Sequence, residues 1–274
     1  MILPVVIRVR INVNILLFDS GMGGLSIYQE VRRRLPGHRY DYVFDNAFFP
    51  YGEQPEHIIT ARCCLLIEHL VSERQIDLVV IACNTASTIV LPALRERLAI
   101  PVVGVVPAIK PAAALTRNGS IGLLATPATV QRPYTSQLIA QFATHCQVLK
   151  LGVTELVVQA ERKMAGYDVD EQAIHLALQP LLTHAMPPDT LVLGCTHFPL
   201  LKEEICRIMP GIQLVDSGAA IAKRVAALLQ GKIASDVTDT AGQAFCTLLD
   251  PDAHKKSRIL VEYGFHSLQL LEFC

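Results

Sequence analysis

What most constrains the fold of this chain is a pattern that recurs along it: a short aliphatic run, a loop of small polar residues, then a stretch with helical spacing. The runs fall at residues 13–18, 40–44, 78–81, 102–106, 121–124, 147–149, 190–193 and 213–215. Helical patterns lie between and after them at 26–34, 55–74, 88–98, 107–116, 129–141, 154–164, 170–184, 199–208 and 219–229. Such alternation builds parallel βα units, because a parallel neighbour is reached only by a crossover long enough to hold a helix. Strands buried on both faces read as unbroken aliphatic runs, and the composition agrees: 51% hydrophobic but only 6% aromatic, with no Trp. The expected class is α/β, with mostly parallel sheets flanked by helices and ligands bound beyond the carboxyl ends of the strands.

Two internal echoes divide the pattern. LVVIACNTAST at 78–88 matches LVLGCTHFPL at 191–200, and ILLFDSGMGG at 15–24 more weakly matches IGLLATPATV at 121–130. Similar separation of both pairs is what a duplicated unit produces, and 274 residues lie near the length where one core gives way to two. Two pseudo-symmetric lobes with the active site between them are therefore expected, the first made of residues 1–105 plus 214–274 and the second of 106–213. Residues 1–14 read as a ragged extension of the first.

Charge excludes some partners. Lys and Arg total 24 against 25 Asp and Glu, a net charge of -1, which offers no field to attract nucleic acid or an anionic membrane. No apolar run approaches the roughly 18 residues of a membrane span, and the opening segment lacks the order of a signal peptide. The eight cysteines are scattered through strand-like and helix-like runs, unlike a disulfide scaffold, so a reducing cytoplasm is expected. They also lack paired CxxC spacing, so no metal site is expected.

The stronger echo places Cys83 and Cys195 each at the end of a strand and the start of a helix. There the helix N-terminus is expected to lower the thiol below its free pKa of about 8.5. Two equivalent thiols on opposing lobes suit the removal of a proton from one face of a carbon and its return to the other, since acid and base must exchange roles with substrate handedness. A thiol hydrolase using Cys83 and His197 would need only one cysteine, and a two-lobed binding protein would need neither. DSGMGG at 19–24 offers Asp19 to partner Cys83, Ser20 to contact a substrate, and glycines that permit close backbone approach to a ligand. PYGEQ at 50–54, Asn84 and Thr85 after the first thiol, and Thr196 after the second supply donors for a carboxylate-bearing ligand. His197 is placed to assist Cys195, and Cys63, Cys64, Cys146, Cys206, Cys246 and Cys274 read as packing residues.

FDSGMGGLS, PYGE, ACNTAS, LATPAT, LGCTHFPLL and VDSG occur in this order across residues 18–218. Together they resemble the glutamate racemases of the aspartate/glutamate racemase superfamily, over nearly the whole chain. The resemblance implies interconversion of L- and D-glutamate without PLP, metal or other cofactor, in a cytoplasmic enzyme that serves peptidoglycan synthesis. It implies that Cys83 takes the α-proton of D-glutamate and Cys195 that of L-glutamate, with Asp19 and His197 in support. Substrate contacts would come from Ser20, Pro50, Tyr51, Gly52, Asn84, Thr85, Thr126 and Thr196. Aspartate or a hydantoin is the alternative substrate, and a homodimer is held open as the assembly. Many members carry a Glu in an LVE segment that helps hold the active-site His. Here Val158 takes that place, with Glu155 or Glu161 as the substitute, although on a helix each points to another face than position 158.

Overall fold

The computed structural model describes residues 9–10, 13–230, 232–233 and 241–272. Cys274 and most of the 1–14 extension lie outside the described residues. The strands are β1 (Val9–Arg10), β2 (Asn14–Asp19), β3 (Arg39–Phe44), β4 (Leu78–Ile81), β5 (Val102–Gly104), β6 (Ser120–Ala125), β7 (Gln147–Gly152), β8 (Thr190–Leu193), β9 (Gln213–Val215), β10 (Lys232–Ile233), β11 (Gly242–Cys246) and β12 (Phe265–Leu270). They form a six-stranded sheet in the order β12-β11-β3-β2-β4-β5, a four-stranded sheet in the order β7-β6-β8-β9, and the pair β1-β10. Every pairing is parallel.

The duplication read from the motifs reappears as topology. β3-β2-β4-β5 and β7-β6-β8-β9 share one order, second-first-third-fourth. Such an order reverses between its first and third strands, and ligands of open α/β sheets bind there. Both echoes fall at that point: one pairs the third strands, β4 and β8, the other the first strands, β2 and β6. Alternation along β2 sends Ile15 and Leu17 to the core on one face and Leu16 and Phe18 to that on the other. In the smaller sheet, Leu191 and Leu193 face one core and Val192 the opposite one.

Several expectations need correction. The boundary between 213 and 214 falls inside β9, all three of whose residues pair with β8, so the chain leaves this sheet after Val215. The helix expected over 129–141 is two, Pro127–Gln131 and Pro133–Phe142. The second proline holds Arg132 extended (φ -62°, ψ 135°), which ends the first helix. β11 and β12 were not anticipated: GQAFC is short and begins at a glycine, and β12 is an edge strand whose exposed residues break the aliphatic pattern. Cys63, Cys64 and Cys246 are buried as expected, but Cys206 is exposed, so its packing role is corrected.

Candidate active site

Four strand ends meet at the site. β2 runs into the turn 20–24, whose glycines enter the helix Leu25–Arg34. After β4, Cys83 is extended and immediately precedes the helix Asn84–Arg97. After β6, Thr126 caps the helix Pro127–Gln131 by accepting from the Thr129 amide. After β8 come Cys195 and His197, then a tight 3-10 turn. The loop 46–54 covers them. Both cysteines line one cavity of about 20 Å³, together with Ser20, Pro50, Tyr51, Gly52, Asn84, Thr85, Thr126 and His197. That is space for roughly one water molecule.

The two thiols stand in unlike surroundings. Cys83 Sγ lies 3.9 Å from Ser20 Oγ. Burial, and next the Asp19 carboxylate, push its thiol well above the usual range, outweighing the opposing pull of the Ala86 N–H at the helix start. The expected lowering is therefore reversed at Cys83: helix-end amides act on it, but an anion and the loss of water act more strongly. Asp19 is fully buried, and burial raises its carboxyl despite the nearby His197 and the donors Thr196 and Ser20.

Cys195 Sγ lies 3.7 Å from His197 Nδ1. The other ring nitrogen, Nε2, is 2.6 Å from Glu161 Oε1, which also accepts the Met22 N–H at 2.6 Å. Lys256 Nζ reaches Glu161 Oε2 at 2.6 Å. Burial opposes charge on His197, yet its hydrogen bonds to Cys195 and Glu161 raise it well above the ordinary histidine range. Burial likewise pushes Glu161 up, but His197 and Lys256 prevail and hold its carboxyl at about 2. The result is an imidazolium between the carboxylate of Glu161 and the sulfur of Cys195.

Glu161 corrects the expectation about Val158. Positions three apart on a helix are surface neighbours, so in Glu155–Met164 the carboxylate one turn beyond Val158 turns inward while Val158 is 41% exposed. The glycines are corrected too. A Cβ on Gly23 would stand 2.5 Å from His197 Nδ1, and one on Gly21 would overlap Glu161 Oε1. The close approach they permit is that of the His197–Glu161 pair, not of a ligand.

Asp19 and Thr196 lie behind the cavity wall. The Thr196 hydroxyl, expected to contact substrate, donates to Asp19 Oδ2 at 3.0 Å, and that of Tyr51 donates to Asp45 Oδ2 at 2.7 Å. Thr85 and Thr126 meet across the site at 3.3 Å. Asn84 is 3% exposed, and its Oδ1 has no hydrogen-bond partner. Phe49, Glu53, Thr154 and Val157 complete the lining and were missed. Glu53 lies inside the noted PYGEQ segment but was given no role there, and Phe49 immediately precedes it. Thr154 and Val157 belong to a helix start with no motif of its own.

Comparison with known proteins returns one family. The profile of the Asp/Glu/Hydantoin racemases matches residues 18–225. A glutamate racemase of Pectobacterium atrosepticum is 54% identical over 258 residues, 94% of this chain and 90% of its own. One of Salmonella typhimurium is 52% identical over 258 residues, 94% of this chain and 91% of its own. A crystal structure of Escherichia coli glutamate racemase in complex with L-glutamate and the activator UDP-MurNAc-Ala superposes with a TM-score of 0.90 at 52% identity, covering 95% of this chain and 98% of that one.

Proposed function

This chain belongs to the Asp/Glu/hydantoin racemase family, and from that premise we propose that it interconverts L- and D-glutamate by proton transfer between two thiols, without PLP or metal, supplying D-glutamate for peptidoglycan. The observation that carries the reading is that Cys83 and Cys195, placed alike at the third strands of two sheets of one topology, line the same cavity.

In the L-to-D direction the Cys195 thiolate takes the α-proton, leaving the C–H electron pair on the α-carbon and its carboxylate. The Cys83 thiol then gives its proton to the opposite face. The enzyme is left with a Cys195 thiol and a Cys83 thiolate, which is the form that D-glutamate requires. The unlike surroundings support this division: the buried thiol beside Asp19 retains its proton, while a cationic imidazole stands 3.7 Å from the sulfur of Cys195. The vacant Oδ1 of Asn84 is suited to accept from the substrate ammonium. Ser20, Thr85, Thr126 and the backbone of residues 50–52 are the contacts assigned to its carboxylates, and Asp19 acts through Ser20. With Thr196 committed to Asp19, a role for it in holding Asp19 replaces substrate contact.

Without an electron sink, the carbanion must be stabilised by dry, oriented donors. A cavity of about 20 Å³ is too small for glutamate, so entry requires the two lobes to part and catalysis requires them to close. The lobes of this reading are, among the described residues, 13–104 with 218–230 and 241–272, and 109–215. Among the described residues no helix is long and apolar enough to cross a membrane; a cytoplasmic location and a homodimer are part of the proposal.

Incubation of each glutamate enantiomer in D₂O tests it. Deuterium should enter the α-position of both with no change of carbon skeleton, and no exchange with either would overturn it. Release of fragments would point to hydrolysis, and exchange confined to aspartate or a hydantoin would change the substrate. Cys83→Ser and Cys195→Ser should each lower kcat/KM by about 10³-fold or more. The losses must be equal in both directions, because enantiomers have equal free energy in water.

A further inference from the structure

Lysine is almost never buried without a partner. On the helix Pro251–Glu262 the buried positions are Ala253, Lys256 and Leu260, one stripe facing inward, while neighbouring His254 and Lys255 are exposed. Lys256 thus occupies a place where an amphipathic helix puts an apolar side chain. Its ammonium ends 2.6 Å from Glu161 Oε2, with 11% of the Lys256 side chain exposed and 10% of that of Glu161. This helix packs on β12 of the six-stranded sheet, whereas Glu161 lies on a helix packed against the core of the four-stranded one. The contact therefore joins the two lobes next to the reacting sulfur.

We infer that Lys256 is a positioning residue for the Cys195 half of the reaction, holding the Glu161 carboxylate against His197 across the junction of the two sheets. Each carboxylate oxygen has a separate task. Oε1 receives His197 Nε2 and the Met22 amide, and Oε2 receives Lys256. With Oε2 occupied, the carboxylate cannot rotate away, and the imidazole keeps Nδ1 toward Cys195 Sγ. Charge acts in the same sense. The titratable groups that act on this pair include Asp19 at the end of β2, Tyr42 on β3, Cys195 and Lys256, and Arg162, Asp250 and Asp252 share a cavity with Glu161 and Lys256. Lys256 is the fixed cation in contact with Glu161, offsetting the second carboxylate when the imidazole gives up its proton. It is absent from the lining of the thiol cavity and with Glu161 lines a separate one on the other side of the pair.

The inference rests on the two-thiol reading, and the assay separates the two. Racemisation is measured with unlabelled and α-deuterated glutamate of each hand, over a range of pH, for the native enzyme, Lys256→Met and Lys256→Arg. Lys256→Met should lower kcat/KM about tenfold or more, equally in both directions. Slowing transfer at Cys195 alone should raise the isotope effect on kcat/KM for α-deuterated L-glutamate and lower that for α-deuterated D-glutamate. The acid limb of the pH profile should move upward, because loss of a cation favours the protonated forms of the groups around it. Lys256→Arg should restore most of the rate and the native limb.

These readouts are ratios or positions on the pH axis, so a smaller folded fraction does not move them. If Lys256→Met does not fold, Lys256→Gln is measured in the same way. Unchanged isotope effects and an unmoved limb, whatever the loss of rate, would overturn the inference. An asymmetry of the opposite sense would support the coupling and exchange the faces assigned to the thiols. Absence of α-hydrogen exchange in the native enzyme would overturn the two-thiol reading and this inference with it.

Discussion

Asp19 has a cost that its position explains. Burial raises its carboxyl, so above that raised pKa the native state holds a charge that the unfolded chain would carry more easily. Asp19→Asn should therefore raise Tm at neutral pH while lowering kcat/KM about tenfold or more, since it removes the anion beside Cys83. A thermal melt and a racemisation assay on the same sample check both signs, and a fall in Tm would contradict the account of burial. Gly23 makes a steric case. Gly23→Ala puts a methyl group 2.5 Å from His197 Nδ1, displacing the ring from Cys195, and should cost about 10²-fold in kcat. At this scale the sequence was informative wherever a motif stood at a strand end: Cys83, Cys195, Ser20, Asn84 and His197 were legible and all face the cavity. Glu161 was legible only as one of two substitutes for the missing carboxylate, and Lys256 was not legible at all. One departs from the expected alignment by a helical turn, and the other is a lysine in a helix without a motif.

Among the elements, the loop 46–54 depends most on contacts outside itself. Its two short 3-10 turns, Asn46–Phe48 and Tyr51–Glu53, bury little beyond the Tyr51 ring. Tyr51 is anchored by donating to Asp45, which Arg62 also grips at 2.7 Å. Tyr51→Phe should cost roughly 2 kcal/mol of stability, the value of a buried hydrogen bond to a charged group. Its hydroxyl is turned away from the cavity, so kcat/KM should fall much less than in the cysteine variants; urea unfolding and steady-state rates separate the two effects. Sequence periodicity found the eight strands of the repeated unit because most are apolar runs buried on both faces, while the half-exposed β7 showed only its first three residues. β11 and β12 escaped it, the one short and glycine-led, the other a half-exposed edge. The break at Pro133 was visible in principle, since the residue before a proline avoids the helical region.

For the molecule as a whole, the ionised pair at the lobe junction links stability to pH. Glu161 is held at about 2 against an ordinary value of 4.5. A depressed carboxyl contributes stability that is complete above the unfolded pKa and is lost as pH falls through the folded one. The shift corresponds to about 3 kcal/mol, disappearing between pH 4.5 and about 2. Comparison with Glu161→Gln by urea unfolding isolates it from the opposite trend of Asp19: the gap between the two proteins should narrow as pH falls through that window, stay constant from there to about pH 6.5, and narrow again above it as His197, raised by the same carboxylate, loses its proton. The sequence by itself determined the class of fold, the duplication and the identity of both thiols, because periodicity and strand-end motifs are local and each copy carries its own. Only the tertiary structure decided that the glycine turn of one lobe admits a histidine and a glutamate of the other, and that a distant lysine closes the set. Those contacts join residues far apart in the chain, and their chemistry comes from burial and charge that no single segment contains.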